Sequence, residues 1–230
     1  MNSHSFLTLI PARGGSKGIP RKNVCLFAGK PLIVHSIEQA SASRHVTRVA
    51  VSTDDDEIAE VSFASGATVV WRPADISGDT ASSESALIHA LRDLEVNEGY
   101  RPDFVVFLQC TSPLRKADDI DAAIGKLLDQ QADSLLSVSP SHRFLWADVN
   151  GQATSLNYDY RNRPRRQDMP QQYVENGSIY VFRREILLEG GNRLGGKVAM
   201  HVMDEDASWD IDTPFDLRIA EMLMNERTGA

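Results

Sequence analysis

Apolar residues along this chain are concentrated in short runs, of which residues 104–108 are continuous, separated by stretches with helical spacing. The runs, which are typical of buried strands, cover residues 6–10, 46–51, 67–71, 104–108, 134–138 and 198–203. Between most of them apolar residues recur every three or four positions, most regularly over residues 120–128. We expect Asp54 to cap the helix after the second strand. The alternation predicts an α/β fold with a doubly wound, mostly parallel central sheet.

The helical periodicity stops over residues 140–172, where Arg, Asn, Tyr and Pro dominate. A stretch of this length without clear periodicity is usually functional or an arm. We expect a single domain over residues 1–230 in which residues 140–172 leave the sheet and pack against a second copy of the chain as a dimerisation arm. A long surface loop is the alternative. Residues 174–182 follow as either a strand pair or one strand with a bend at Gly177.

The first predicted strand leads directly into a loop rich in glycine and cations. Its glycines are Gly14, Gly15 and Gly18, and its cations are Arg13, Lys17, Arg21 and Lys22. No Asp or Glu precedes Glu38, although the formal net charge of the chain is −8. Ligands of open α/β sheets bind beyond the carboxyl ends of the strands, so a polyphosphate is the simplest partner. A solvated basic loop is the alternative, because neither the Walker nor the dinucleotide glycine pattern is present.

Five regions of the chain resemble one known family. They are residues 12–23 (Ala-Arg-Gly-Gly-Ser-Lys-Gly-Ile-Pro-Arg-Lys-Asn), residues 51–54, residues 108–115, residues 163–168 with 175–178, and residues 210–212. Together they resemble the CMP-sialic acid synthetases (acylneuraminate cytidylyltransferases), including CMP-legionaminic acid synthetases. The resemblance implies a Rossmann-like nucleotidyltransferase fold. It also implies a reaction in which the anomeric C2 hydroxyl of a nine-carbon keto sugar acid, N-acetylneuraminic acid, attacks CTP and releases pyrophosphate.

Several alternatives to this reaction stay open. The first alternative is the same reaction with legionaminic, KDN or pseudaminic acid. The acyl groups of the sugar are recognised by the shape of the pocket, which the sequence does not show. KDO is the least expected acid, because its activating enzymes carry a different glycine loop. A sugar-1-phosphate nucleotidyltransferase is a second alternative, and a non-catalytic, CTP-binding regulatory subunit is a third. Lys22, Asp210 and Asp212 argue against the third.

The resemblance assigns the nucleotide to the glycine-rich loop and to two later positions. The implied nucleotide-binding residues are Ala12, Arg13, Gly14, Gly15, Ser16, Lys17, Lys22, Asn23, Arg72 and Ser83. Lys22 and Arg13 are the implied catalytic cations, which hold the triphosphate and stabilise the departing pyrophosphate. Without the resemblance, Arg72 would be read as lying on a solvated edge and Ser83 as a residue near a helix start.

Two carboxylates, Asp210 and Asp212, flank Ile211 and would point to the same side of an extended segment. Such a pair suits Mg²⁺, although on spacing alone the acids could equally precede a helix cap. The resemblance makes Asp210 and Asp212 the metal site, with Mg²⁺ as the cofactor and Mn²⁺ as a substitute. Asp212 is also the candidate acceptor for the proton of the attacking hydroxyl. No protein nucleophile is required by this chemistry.

The sugar acid needs a partner for its carboxylate, and guanidinium groups bind carboxylates in bidentate fashion. The implied sugar-acid-binding residues are Gln109, Arg143, Arg165, Arg166, Asn176 and Tyr180. The arginines could instead form a solvated charge run, an interface patch or a nucleic-acid patch, and Tyr180 could pack in the core. We expect some of these arginines to complete the active site of the partner subunit. Cys110 stands where the family carries Pro or Ala.

Bulk composition limits the remaining possibilities. A chain of 230 residues with 42% hydrophobic content can bury one sizeable core. Its two cysteines do not suggest a disulfide framework, and its acidic balance argues against nucleic-acid binding. No apolar run has the length of a membrane helix, and the run at residues 6–10 is too short for a signal peptide. We therefore expect a cytoplasmic protein that binds neither membranes nor nucleic acid.

Overall fold

The computed structural model describes residues 4–228 and contains one large sheet flanked by helices. The strands are β1 (Phe6–Pro11), β2 (Leu26–Phe27), β3 (Lys30–Pro31), β4 (Val46–Thr53), β5 (Thr68–Trp71), β6 (Phe104–Leu108), β7 (Ser134–Ser141), β8 (Trp146–Val149), β9 (Gln152–Ser155), β10 (Gln172–Arg183) and β11 (Val198–Val202). The α-helices are α1 (Leu32–Ser41), α2 (Asp56–Ala64), α3 (Ser83–Glu98), α4 (Asp119–Asp129), α5 (Arg184–Gly190) and α6 (Pro214–Thr228). Short 3-10 turns cover Lys22–Val24, Ala74–Ile76, Tyr160–Asn162, Arg166–Asp168 and Glu205–Ser208.

The central sheet has seven strands in the order β11-β7-β10-β6-β1-β4-β5. Strand β10 runs antiparallel to both β6 and β7, and the other pairings are parallel. Every residue of β6, at the centre of the sheet, is buried, as its continuous apolar run predicts. The predicted mostly parallel α/β sheet is confirmed.

Each face of the sheet supports its own hydrophobic core, because successive strand residues point to opposite faces. In β1, Phe6 and Ile10 pack into the core that also contains residues of α1, α4 and α6. Leu7 and Leu9 pack into the core beneath α3 and α5. Helices therefore cover both faces, as a doubly wound sheet requires. No helix within residues 4–228 is both long and apolar enough to cross a bilayer.

The predicted cap of α2 is wrong by one residue. The side chain of Asp55, not that of Asp54, accepts a hydrogen bond from the Ile58 amide at 3.0 Å and forms the N-cap. Asp54 instead accepts a hydrogen bond from the backbone amide of Gly14 at 3.1 Å. The first of the two acids is thus bound to the glycine-rich loop, which leaves the second to cap the helix.

The chain leaves the central sheet after Ser141 of β7 and returns to it at Gln172 of β10, and we call residues 140–172 the arm. Its root lies between paired strands, since Ser141 of β7 is opposite Gln172 of β10. Strands β8 and β9 form a hairpin that turns at Asn150 and Gly151, both with positive φ. After the arm, β10 continues as one strand with a register shift between Glu175 and Tyr180, and Gly177 has φ +68°. Of the two predictions for this segment, the single bent strand is confirmed.

Candidate active site

A cavity of about 410 Å³ opens beyond the carboxyl ends of β1 and β6. The glycine-rich loop, the segment after β6, the start of α3 and the segment before α6 line it. The predicted site residues that line it are Arg13, Ser16, Lys17, Lys22, Asn23, Ser83, Gln109, Asp210 and Asp212. The fold therefore brings most of the predicted nucleotide residues and both predicted metal ligands into one cavity, which we call the first cavity.

Lys22 joins the glycine-rich loop to the predicted metal ligands. Its Nζ donates hydrogen bonds to Asp212 Oδ1 at 3.0 Å and to the Ile211 carbonyl at 2.9 Å. Gly18 packs against the same segment, so closely that an added Cβ would lie 2.1 Å from the Asp212 carbonyl oxygen. The loop and the Asp210–Asp212 segment are thus fixed against each other, although they lie at opposite ends of the sequence.

Asp210 occupies the more buried end of this carboxylate pair. Burial raises its pKa, and the negative charge of Asp212 raises it further, while hydrogen bonds from Thr111 and Ser112 oppose the increase. The Ser112 hydroxyl donates to Asp210 Oδ1 at 3.3 Å. Between the two acids, the Ile211 amide donates to the Thr111 carbonyl at 2.8 Å. Two carboxylates that repel each other in a partly buried site are a favourable place for a cation.

The donor set of this pair fits a magnesium ion. Within residues 4–228 no group of three or more His, Cys, Asp or Glu side chains is arranged to hold a metal. A cation on Asp210 and Asp212 would therefore take only two protein carboxylates. Mg²⁺ characteristically binds one or two carboxylates and completes its octahedral shell with phosphate oxygens and water.

The cations of the glycine-rich loop are paired with acids from distant segments. Asp79 lies 3.2 Å from Arg13 Nη1 and 2.6 Å from Lys17 Nζ, and the Gly78 carbonyl accepts a further hydrogen bond from Arg13. Arg21 pairs with Asp55 and Glu57 at the start of α2. The cations are therefore opposed by acids, although no Asp or Glu precedes Glu38 in the sequence. The loop has no acid near it in sequence, but the fold supplies acids from elsewhere.

Other predicted nucleotide residues are held by hydrogen bonds to the end of β4 and to the glycine-rich loop itself. Arg72 is 8% exposed and donates to the Ser52 carbonyl at 2.6 Å, and burial lowers its pKa. The alternative of a solvated edge for Arg72 is therefore wrong. The Ala12 amide also donates to Ser52, at 2.9 Å, and the Asn23 side chain donates to the Arg13 carbonyl at 3.0 Å. Around Gly15 there is open space.

The predicted sugar-acid residues are not all gathered in one place. Gln109 lines the first cavity, with its Oε1 packed against Gly177. Arg143 and Arg166 line a second cavity of about 760 Å³ at the root of the arm, together with Glu175. The consecutive residues Trp209 and Asp210 line the second and the first cavity respectively.

Three further sugar-acid candidates line neither of these two cavities. Arg165 is exposed and pairs with Asp168 at 2.6 Å. Asn176 is a buried residue of β10, and its side chain bonds to Ser137 and Ser139 of the neighbouring strand β7. Tyr180 is 2% exposed, stacks on Phe107 and donates to the Glu175 carboxylate. The position of Tyr180 therefore agrees with the alternative that it packs in the core.

Sequence reasoning missed several residues that shape the first cavity. Asp79 binds two of its cations, and Thr111 and Ser112 bind Asp210. Asp79 stands four residues before Ser83 in a polar loop, and only that proximity could have drawn attention to it. Thr111 and Ser112 directly follow Gln109 and Cys110 at the end of the central strand, so the position of the turn was a usable signal.

The sequence comparison agrees with this combination of loop, cavity and carboxylate pair. Residues 7–227 match the sequence model of the family described as Cytidylyltransferase. The chain belongs to the cytidylyltransferase family. The resemblance noted in its five regions is thus confirmed at the level of the whole chain.

Several curated cytidylyltransferases are similar to this chain. N-acylneuraminate cytidylyltransferase A of Danio rerio is 38% identical over 223 residues, which cover 95% of this chain and 50% of that protein. Pseudaminic acid cytidylyltransferase of Campylobacter jejuni is 34% identical over 223 residues, which cover 94% of this chain and 95% of that protein. The chain therefore spans about half the length of the Danio rerio protein and nearly the whole of the Campylobacter jejuni protein.

Solved structures show the same fold. A CMP:2-keto-3-deoxy-manno-octonic acid synthetase complexed with CTP superposes with a TM-score of 0.71 at 21% identity. The match covers 97% of this chain and 99% of that one. A 4-diphosphocytidyl-2C-methyl-D-erythritol synthase from Anaerococcus prevotii gives a TM-score of 0.69 at 11% identity and covers 97% of this chain and 100% of that one. At such identities the likeness concerns the fold alone, and it confirms the Rossmann-like nucleotidyltransferase architecture.

Proposed function

We propose that this protein transfers CMP from CTP to the anomeric C2 hydroxyl of a nine-carbon sialic-type keto sugar acid, N-acetylneuraminic acid, and releases pyrophosphate. One observation carries the proposal: Lys22 of the glycine-rich loop is hydrogen-bonded to Asp212 in the cavity that also contains Asp210. A cation for phosphate and a carboxylate pair for a metal ion are thereby held together. Membership of the cytidylyltransferase family supports CTP as the nucleotide.

In this reaction the protein positions its substrates and neutralises charge, and it needs no nucleophile of its own. Arg13, Lys17 and Lys22 would hold the triphosphate and stabilise the departing pyrophosphate. Asp210 and Asp212 would hold Mg²⁺, which supplies Lewis acidity at the α-phosphate when bound. Asp212 is exposed enough to receive the proton of the attacking hydroxyl, whereas Asp210 is engaged by Thr111 and Ser112.

Pseudaminic acid is the second candidate substrate. It is favoured by one specific observation, which is the near-complete length match with the Campylobacter jejuni enzyme named for that acid. N-acetylneuraminic acid stays the first candidate because the Danio rerio N-acylneuraminate enzyme has the higher identity, at 38% against 34%. Legionaminic acid and KDN stay alternatives, because they differ from these two acids mainly in groups that are recognised by the shape of the binding pocket.

Pyrophosphate release tests the nucleotide and the acid together. CTP, Mg²⁺ and the purified protein are mixed in parallel with N-acetylneuraminic, pseudaminic, legionaminic or KDN acid, and ATP, GTP and UTP replace CTP as controls. Release with CTP and one nine-carbon acid supports the proposal and identifies the acid. A chelator should abolish release, and Mg²⁺ or Mn²⁺ should restore it. Tight CTP binding without release for any acid would contradict the proposal and favour a regulatory subunit.

We also propose that the protein is a cytoplasmic homodimer whose arm completes the active site of its partner. Large apolar side chains stay exposed on the arm, among them Leu145, Trp146, Val149, Leu156 and Tyr160. Exposed apolar clusters of this kind usually mark protein–protein contacts. The second cavity, at the root of the arm, also holds two arginines that a carboxylate substrate needs. The unpaired Cys25 and Cys110 fit a reducing compartment.

Mixed dimers test the shared site. Arg165→Ala and Asp212→Ala each remove a proposed role, one on the arm and one in the first cavity. If the arm acts in the partner, co-assembly of the two inactive variants regenerates one intact site per mixed dimer, and activity returns to about a quarter of the wild-type level. Absence of any recovery in verified mixed dimers would contradict the shared site. Two arm variants, Arg165→Ala and Arg166→Ala, serve as the matched pair that should not complement.

A further inference from the structure

Arg115 is a buried arginine that joins separate parts of the fold behind the first cavity. It is 4% exposed, and its guanidinium donates to acceptors on α1, on the segment after β6 and on β10. The acceptors are Gln39 Oε1 at 3.0 Å, the Gln109 carbonyl at 3.2 Å, the Ser112 carbonyl at 2.7 Å, the Ser178 carbonyl at 3.1 Å and the Ser36 hydroxyl. Few side chains could satisfy so many acceptors at once, because the guanidinium offers five N–H groups in a fixed plane.

The charge of Arg115 has no direct counter-ion. All the acceptors above are neutral, and the nearby Asp119 carboxylate attracts the guanidinium without forming an ion pair with it within residues 4–228. Burial lowers the pKa of Arg115 to about 10, which still leaves it charged at neutral pH. Burying a charge without an opposite charge is costly, and apolar residues of similar volume usually give a more stable core. General stability is therefore a poor explanation for an arginine at this position.

The backbone that Arg115 binds belongs to the wall of the first cavity. The Gln109 and Ser112 carbonyls are the two ends of a turn whose residues Gln109, Cys110 and Thr111 line that cavity. The same turn binds the carboxylate pair, through the Ser112 hydroxyl to Asp210 and through the Thr111 carbonyl to the Ile211 amide. On the opposite side, Ser178 follows Gly177, against which the Gln109 side chain packs.

We propose that Arg115 is a positioning residue for the reaction, which fixes Gln109 and Asp210 relative to each other through the turn between Gln109 and Ser112. The inference rests on the proposed function. Arg13, Lys17 and Lys22 belong to a different loop and keep their own partners, Asp79 and Asp212. Loss of Arg115 should therefore impair the encounter of the sugar acid with the α-phosphate and leave CTP binding almost unchanged.

Two variants of Arg115 and one matched control test this role. Arg115→Lys keeps the charge but loses the planar fork, and Arg115→Gln loses both. Arg227→Gln is the control, because Arg227 donates to the Leu114 carbonyl in the adjoining segment and pairs with Asp206, without contacting Gln109 or Ser112. Melting temperature, kcat and the KM of each substrate are measured on folded, purified protein.

We expect both Arg115 variants to lower kcat by roughly tenfold or more, because small displacements of reacting groups strongly reduce the rate of the chemical step. The KM for the sugar acid should rise, and the KM for CTP should change by less than about threefold. Arg227→Gln should keep kcat within about threefold of the wild-type value. This should hold even where its melting temperature falls as far as those of the Arg115 variants. A kcat for Arg115→Lys within twofold of the wild-type value would overturn the proposal, whatever the melting temperature. If Arg115→Gln does not fold, Arg115→Lys decides alone.

Amide hydrogen exchange gives a second readout that needs no substrate. In Arg115→Lys, peptides covering residues 109–114 and 176–178 should exchange faster than in wild type, while those covering residues 12–23 should not change. Unchanged exchange in all of them would overturn the proposal. If the wild-type protein releases no pyrophosphate with any acid, the proposed function fails, and the exchange experiment still decides whether Arg115 holds this turn.

Discussion

The glycine-rich loop carries clustered arginines and lysines and the arm carries clustered arginines, but the fold treats these cations differently. In the loop, Arg13, Arg21 and Lys22 are each bound by acids from distant parts of the chain. In the arm, the contacts are local: Arg165 pairs with Asp168, Arg161 lies over the ring of Tyr160, and Trp146 donates to Tyr158. The loop is therefore organised by the body of the protein, whereas the arm is organised mainly by itself.

This difference teaches how the two regions can meet their ligands. A cation whose position is fixed by a distant acid is already placed when the triphosphate arrives, so little ordering cost remains. Exposed aromatic and aliphatic side chains on a locally folded arm still have apolar surface to bury. The first region has the properties of a preformed site, and the second has those of a surface that a further chain can complete.

The largest expected effect comes from removing the cation that links the loop to the carboxylates. Lys22→Ala should lower turnover at least tenfold, because it removes both the proposed contact with phosphate and the hydrogen bond to Asp212. Loss of one charge-stabilising donor typically lowers kcat by roughly a hundredfold, which is the upper end that we expect. Steady-state kinetics beside a melting curve measure it. Lys116→Ala is the control, since Lys116 pairs with Asp204 outside the first cavity. Near-normal turnover with a normal melting curve would remove Lys22 from the mechanism.

The next effect tests how tightly the loop is held against the body. Gly18→Ala places a Cβ 2.1 Å from the Asp212 carbonyl, and we expect it to lower the free energy of unfolding by about 1–3 kcal/mol. Gly15→Ala, in the same loop, has no atom within 4 Å of the added Cβ and should be neutral or slightly stabilising. Denaturant unfolding without nucleotide compares the two. Equal stability for both variants would show that the loop can move away from Asp212.

A smaller effect is expected on the arm, and it concerns association instead of folding. Leu156→Glu replaces a 59% exposed leucine, so the monomer should stay folded while the dissociation constant of the proposed dimer rises roughly tenfold. Val96→Glu is the matched control, because Val96 is 82% exposed on α3 of the body. Analytical ultracentrifugation over a concentration series measures both. An unchanged dimer in Leu156→Glu, or an equal change in Val96→Glu, would argue against the arm as the interface.

The smallest effect is expected at Cys110, which lines the first cavity and for which we propose no chemical role. Burial raises the pKa of its thiol to about 12, so the thiol stays protonated at neutral and mildly alkaline pH. Cys110→Ala should change turnover by less than about twofold, and iodoacetamide at about pH 8 should not modify Cys110 in the folded protein. Modification in urea is the positive control. Rapid alkylation of the native protein, or a large loss of turnover, would contradict this reading of the cavity wall.

Several parts of the site could be predicted because their signals are local in sequence. Asp210 and Asp212 lie on either side of the buried residue Ile211, and Lys22 belongs to a loop directly after a buried strand. The continuous apolar run of β6 gave its boundaries without error, because a central strand is buried on both faces. Spacing of this kind reports local geometry, which is why those residues lie in the first cavity.

Other parts could not be predicted, because they depend on segments far apart in sequence. Asp79 meets Arg13 and Lys17 only when the loop before α3 folds over the first strand end. Arg115 finds its acceptors on α1 and β10, and no spacing rule connects those segments. The helix cap moved from Asp54 to Asp55 for the same reason, since Asp54 is bound to Gly14. In the proposed dimer, the roles of Arg143, Arg165 and Arg166 would depend further on how the arm contacts a second chain.

The pairing of Ser141 with Gln172 has a consequence for how this protein can vary. Because β7 and β10 are antiparallel neighbours, the chain leaves the sheet and returns to it at adjacent points. The entropy of closing a loop grows only slowly with its length, so the insert between those points can be lengthened, shortened or exchanged at little thermodynamic cost. If the arm has the role proposed for it, relatives could diversify this module, and with it their assembly and their choice of acceptor, while the seven strands and the glycine-rich loop stay constant.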